Sequence, residues 1–478
     1  MRALLRSWLV SVAAAFAAAG LTLPAAAGVL DDYVARPDDS YGWVERSRGE
    51  VLRTRYVELI LTSQTWREIP WRHQLFVIKP RVPLKARGQH ALLVIDGGGW
   101  RAEYDDRGAP TRLPDLARTV AGIANVMRTP VAILKQVPHQ PLFGRSEDAL
   151  IAYTFDQYMR TGDPDWPLLL PMTKAAVRGM DAVQEFAAAE WGIDVKSFTV
   201  FGASKRGWTT WLTGAVDPRV KAIAPMVIDI VNMPDQIDHQ RAVWGELSHQ
   251  ISDYSELGLT EQLDTPRGRE LLEIVDPYAY RERLTQPKLI INGTNDAYWP
   301  VDALNLYWRG FPGEKYIQYV PNAGHHPGSI GRIAGSINAL HADAAGRFRM
   351  PNLTWHFMEN GGKGLKIKVK TSKRPAYATL WVAASPTRDF RNARWRSART
   401  SVPWQDGFRL PWQSGFKAPF QKSMTFDVTA PREGYRAAFV EYTYVRSTLA
   451  PFSLSTPIHI MGTNGRMVTT GTRIGSSR

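Results

Sequence analysis

Not one cysteine occurs among the 478 residues, which excludes a disulfide framework, a thiolate zinc site and a cysteine nucleophile together. No glycine pattern forms a phosphate-cradling loop followed by lysine and Ser/Thr, so no nucleotide cofactor is expected. His239 and His249 have no Cys or His at ligand spacing, so no metal is expected either. Long apolar runs are missing with one exception. Between Met1 and Gly28, Arg2 and Arg6 precede an apolar run from Trp8 to Leu23, and Ala25-Ala26-Ala27 follows. That order of basic, apolar and small residues is what a translocon and signal peptidase read, so residues 1–27 are expected to be a signal peptide cut after Ala27. A secreted or periplasmic bacterial protein, not integral to the membrane and with no intracellular nucleic-acid partner, is the consequence.

What is present is apolar and aromatic. Hydrophobic residues make up 44% of the chain, including 17 each of Trp, Tyr and Phe, enough to offset the entropy of ordering and to exclude a disordered chain. Charge is unevenly divided. From Met350 onward there are 20 basic and 6 acidic side chains, which is the entire formal net charge of +14, so residues 1–349 sum to zero.

From Tyr56 to about Gly346, β-branched runs alternate with helix-like segments, the pattern of a mostly parallel sheet with helices on both faces. Tyr56–Thr62 and Gln74–Ile78 read as an opening strand pair. Ala91–Ile95, Val131–Leu134, Ser197–Phe201, Val220–Ile228, Lys288–Ile291 and Tyr316–Val320 read as the strands that follow. Helices are expected over Thr173–Trp191, Lys205–Val216 and Ser329–Ala345. The polar, helical stretch 232–286 is too long for a loop and reads as a cap. After Met350 the texture changes, because Leu365, Ile367 and Val369 alternate with lysines at a period of two. The runs Ala378–Ala383, Met424–Val428, Tyr435–Val445 and Phe452–Met461 then suggest an Ig-like β-sandwich of about seven strands over residues 350–478.

Phe198 to Gly207 places Ser204 between a strand and a helix, where a nucleophile elbow holds its serine. Gly202 lies two before it. The position two after, glycine in G-x-S-x-G, is Arg206, with Gly207 one further on. The order serine, acid, histidine is completed by Asp296, 92 residues later past a strand, and by His325, 29 residues beyond that past the next strand. His325 would take the serine proton, and Asp296 would hold the imidazole. Asp302 and Asp229 compete for the acid role, and His326 for the base. Gly98 and Gly99, in the loop Asp96-Gly97-Gly98-Gly99-Trp100 after a buried strand, together with the N–H of Lys205, are the expected oxyanion hole. Glu147 and Asp148, early in a helix, could receive a substrate's amino group, or their charge simply favours the helix N-terminus.

With these residues in view, the chain resembles the PhoPQ-activated pathogenicity-related family of secreted α/β-hydrolase-like proteins. The resemblance rests on Val137-Pro138-His139-Gln140-Pro141, on Glu147 to Thr154, on Trp166 to Lys174 and on Gly202 to Thr209, and it extends from about Asp31 to about Met461. It implies an α/β-hydrolase domain over residues 28–349 followed by a smaller β domain, and it admits Arg after the elbow. The family's name describes a regulatory and virulence context, not a reaction.

Two functions are consistent with these features. One is a secreted serine hydrolase acting on an ester or amide bond of a small molecule or peptide, without cofactor. The other is a catalytically silent hydrolase scaffold used for binding or signalling. The basic C-terminal domain, rich in lysines from Lys363 to Lys373 and in arginines from Arg388 to Arg399, suits a polyanion such as lipopolysaccharide or an anionic glycan.

Overall fold

A computed structural model describes residues 28–82, 90–106, 110–328, 330–401, 423–446, 449–468 and 474–476. The expected signal peptide lies outside the described residues. Three antiparallel strands open the main sheet: β1 (Gly42–Val51), β2 (Thr54–Trp66) and β3 (Ile69–Ile78). Both hairpin turns are two residues long, and Leu52, Arg53, Arg67 and Glu68 all have positive φ, which matches turn twist to strand twist. The remaining strands are β4 (His90–Ile95), β5 (Val131–Leu134), β6 (Ser197–Ala203), β7 (Val220–Met226), β8 (Lys288–Gly293) and β9 (Lys315–Val320). Their order is β1-β2-β3-β5-β4-β6-β7-β8-β9, with every pair from β5 to β9 parallel. Apart from the extra edge strand β1, this is the topology of an α/β-hydrolase.

The helices are α1 (Val29–Ala35), α2 (Ala117–Met127), α3 (Glu147–Thr161), α4 (Leu169–Trp191), α5 (Lys205–Val216) and, closing the sheet, α9 (Ile330–Ala344). Helix α4 stops at Gly192, whose φ of 61° ends it in the left-handed conformation. The cap expected over 232–286 is helical, containing α6 (Met233–Trp244), α7 (Ser252–Ser255) and α8 (Pro266–Val275). Edge strand β1 was not expected. Its sequence, GWVERSRGEV, is mostly polar and half exposed, so it carries no apolar signal.

The C-terminal half forms two antiparallel sheets. One orders β14 (Ser423–Thr429), β11 (Gly364–Thr371), β10 (Leu353–Glu359) and β18 (Ile474–Ser476). The other orders β13 (Arg396–Ser401), β12 (Tyr377–Ser385), β15 (Tyr435–Arg446) and β16 (Leu449–Ser455), with β17 (His459–Met461) beside β15. In β11 the reading by alternation holds, since Leu365, Ile367 and Val369 are buried while Lys368 and Lys370 are exposed. The run read as Phe452–Met461 is two strands, because Pro457 interrupts it.

The two halves share one continuous apolar core. Tyr319 of β9 packs on Phe439 of β15, with ring centroids 5.2 Å apart. Ser336 of α9 exchanges hydrogen bonds with the backbone of Ser453 in β16, and a Cβ on Gly335 would lie 2.0 Å from the Pro451 carbonyl. Only glycine lets α9 approach that closely.

Candidate active site

Ser204 sits at the tip of the β6–α5 turn with φ 55° and ψ −128°, a conformation that costs a non-glycine residue energy and persists where surrounding structure fixes it. Here its N–H donates to the Met226 carbonyl at 2.8 Å. The turn explains the glycine spacing. A Cβ at Gly202 would lie 2.4 Å from the Arg206 carbonyl, and one at Gly207 would lie 2.7 Å from Ile228 Cγ2. The second close approach thus falls at 207, and position 206 is free to carry a long side chain.

His325 Nε2 lies 2.8 Å from Ser204 Oγ, and its Nδ1 lies 2.9 and 3.1 Å from the two oxygens of Asp296. With Nδ1–H donating to Asp296, Nε2 accepts from the serine hydroxyl. Asp296 also accepts from the Tyr298 N–H at 3.0 Å, and the Tyr298 ring stacks on the imidazole at 4.1 Å. The rivals are occupied elsewhere. Asp302 bonds His239 Nε2 at 2.8 Å. Asp229 accepts from Asn292 Nδ2 at 2.7 Å and from the Tyr307 hydroxyl; burial, aided by the Asp296 charge, lifts its pKa to about 6 against those hydrogen bonds. His326 is exposed, beside Pro327.

The two carboxylates expected to receive an amino group are matched within the chain instead. Arg206 makes a bidentate pair with Glu147 at 2.7 and 2.8 Å and donates from Nε to the Val137 carbonyl. Lys205 Nζ donates to Asp148 at 2.7 Å, and Asp148 also accepts from the hydroxyls of Tyr254 and Tyr298. Burial would raise the pKa of Glu147, but the hydrogen bonds and charge of Arg206 outweigh it and bring the group to about 2. Gln140 completes the link, donating to Glu147 Oε1 and accepting the Glu147 N–H. A guanidinium and a carboxylate locked in this fork geometry hold α3 against the first turn of α5.

The triple-glycine loop meets the same turn. A Cβ at Gly97 would lie 2.4 Å from the Arg206 guanidinium, and Gly98 has φ +109°. Asp96 holds the loop's start, pairing with Lys135 Nζ at 2.7 Å and accepting the Gly97 N–H. The Trp100 N–H donates to the Gln140 carbonyl at its end.

The acid and base loops are clamped from outside. Asn322 N–H donates to Thr294 Oγ1 and Asn295 N–H to the Ala323 carbonyl, joining the two loops. Asn295 Nδ2 then donates to the carbonyls of Phe390, Arg391 and Ala393 at 3.3, 3.0 and 2.7 Å. Asn322 pairs with both backbone groups of Trp395, at 3.0 and 2.8 Å. Arg391 lies over the Trp244 ring of α6 at 4.2 Å. The residues adjoining the acid and near the base are therefore tied to a connection within the C-terminal half. The sequence reading missed Asn295, Asn322 and Tyr298. Their neighbours in sequence are Asp296 and His325, but their partners lie as many as 150 residues away.

The chain matches the family model described as "PhoPQ-activated pathogenicity-related protein" over residues 30–391. It is 37% identical over 313 residues to autocrine proliferation repressor protein A of Dictyostelium discoideum, a match covering 62% of this chain and 60% of that protein. Among solved structures it is similar to acetyl xylan esterase 1 from Thermoanaerobacterium sp. JW/SL YS485, at 17% identity and TM-score 0.44, covering 64% of this chain and 91% of that one. It is also similar to an acetyl xylan esterase from Paenibacillus sp. R4, at 11% identity and TM-score 0.45, covering 62% and 87%. Among the described residues, no helix is long and apolar enough to cross a membrane.

Proposed function

The chain belongs to the PhoPQ-activated pathogenicity-related protein family, and from that premise we propose that it is a secreted serine hydrolase cleaving an ester or amide bond through Ser204, His325 and Asp296. The observation that carries this reading is the unbroken hydrogen-bond chain from Ser204 Oγ through the imidazole to Asp296, on a serine held at positive φ. His325 removes the serine proton as Oγ attacks the carbonyl carbon, and returns it to the leaving group. Asp296 fixes the tautomer and stabilises the imidazolium. The N–H groups of Lys205, at the positive end of α5, and of Gly98 and Gly99 are assigned to the developing oxyanion, each worth roughly 3–4 kcal/mol. Glu147 and Asp148 act as positioning residues, holding Arg206 and Lys205 beside the nucleophile.

The lysine face of β11 is proposed to meet an anionic glycan or lipopolysaccharide. A second reading, a silent scaffold used in signalling, draws on the name of the Dictyostelium relative. The two separate on one assay. Turnover of p-nitrophenyl acetate by the mature chain, lost in Ser204→Ala, supports the hydrolase; equal background rates in both proteins favour the scaffold.

A further inference from the structure

A cavity of about 330 Å³ opens beside the catalytic histidine, on the face of the sheet covered by α2 and α9. Its lining includes Asp96, Ala203 and His325, residues of the glycine loop, the elbow and the base loop. Its walls are Leu92 and Val94 of β4, Phe201 of β6, Val120 of α2, and Ile333 and Ile337 of α9. All six are buried. The polar residues of the lining are Asp96, already paired with Lys135, and Thr119, His325 and His326.

Size and chemistry narrow the occupant. A cavity of ~150 Å³ with aliphatic and aromatic walls suffices to take up benzene, and this one has more than twice that volume. Along β4 it is lined from Leu92 to Asp96, a distance of roughly 13 Å at the rise of an extended strand. An acetyl group would leave most of it empty. A sugar or a peptide backbone entering it would leave its hydrogen bonds to water and find almost no partners on these walls, a loss that burial does not repay. The polar groups around the nucleophile, Lys205, Asp148, Tyr254 and Tyr298, belong to α3, α5, the cap and the acid loop, and none of them lines the cavity.

We propose that this cavity receives the acyl chain of the substrate, and that the substrate class is an ester or amide of an apolar acid of medium length. The proposal rests on the serine-hydrolase reading and adds the acyl group to it. Ser204 Oγ bonds to the carbonyl carbon and the bond from that carbon to the leaving oxygen or nitrogen breaks. The serine proton passes by way of His325 to the leaving group. Water, deprotonated by His325, then attacks the acyl-enzyme, and the bond to Oγ breaks as the imidazolium returns that proton to Oγ, releasing the acid and restoring the serine.

The test compares p-nitrophenyl acetate, butyrate and octanoate on the mature full-length chain. Each buried methylene raises kcat/KM by about fourfold until the cavity is filled, so octanoate is expected to exceed acetate by two orders of magnitude or more. Val120→Trp and Ile337→Trp, which fill the cavity, lower the octanoate-to-acetate ratio at least tenfold. Should either variant fail to fold, alkylboronic acids test the wild-type chain directly, and inhibition is expected to tighten from methyl to octyl. Acetate turnover with a flat or falling chain-length profile overturns the acyl site while leaving the serine hydrolase standing. No reaction of Ser204 with any ester or boronate removes the hydrolase reading, and the acyl site falls with it.

Discussion

The two halves of this chain use charge in opposite ways. In the α/β half, near neutral because residues 1–349 sum to zero formal charge, charged groups are matched in place. Arg206 forks onto Glu147, Lys205 meets Asp148, and a buried Arg46–Glu58 pair braces the opening strands at 2.8 Å. In the β half, which carries the net +14, Lys368 and Lys370 face solvent from β11, and Lys366 reaches Asp427 only at 4.0 Å. Yet the β half also has an inward surface of another kind, the backbone of residues 390–395, which binds Asn295 and Asn322 in the loops that carry Asp296 and His325. A boundary drawn by charge and texture at Met350 therefore separates two compositions, while the acid and base loops are supported from both sides of it. The family match makes the same point by running on to residue 391.

The largest expected effect tests the triad. His325→Ala should reduce ester turnover roughly 10⁴-fold, whereas His326→Ala retains most of it, because only His325 reaches both Ser204 and Asp296. Equal losses in steady-state assays of the two variants would reassign the base.

Next in size is the clamp. Asn295→Ala combined with Asn322→Ala removes the contacts between the catalytic loops and the C-terminal half. Small misplacements of catalytic groups cost on the order of 10²-fold, so kcat is expected to fall by about that factor with little change in KM and an unchanged circular dichroism spectrum. Wild-type kcat in the double variant would mean that the β half only abuts the site.

Much of this was legible in sequence, for identifiable reasons. Strands buried on both faces, such as β4 and β6, announce themselves as apolar runs, and Ser204, Asp296 and His325 could be named as candidates because they lie one, three and five residues past the ends of such strands. Polar edge strands such as β1 carry no such mark. Glu147 and Asp148 were read as charge favouring a helix start or as an amino-group site, but a carboxylate shows its partner only in three dimensions, and here Arg206 and Lys205 supply it. The side-chain amides of Asn295 and Asn322 were invisible because their partners are backbone groups, which no residue type betrays.

A smaller effect concerns acid stability. Glu147 titrates near 2 in the folded chain, against 4.5 for a glutamate side chain free in water. Its folded pKa is depressed, so its contribution is complete above 4.5 and is lost as pH falls from there toward 2. Melting temperatures across that window should decline less in Glu147→Gln than in the wild type. A parallel decline would mean that the Arg206 pair adds nothing to stability.

The smallest effect on chemistry belongs to the basic face. Lys366→Gln, Lys368→Gln and Lys370→Gln together should leave ester turnover unchanged and lower the salt at which the full chain elutes from heparin. Turnover falling with the charge would place that face at the active-site rim.

The most direct measurement is fluorophosphonate labelling of the mature chain, with the adduct located by peptide mass spectrometry. An activated hydroxyl facing oxyanion donors reacts where ordinary serines do not, so the adduct should lie on Ser204 alone and disappear in His325→Ala. An adduct on another serine, or none under conditions that saturate a control hydrolase, would contradict the account.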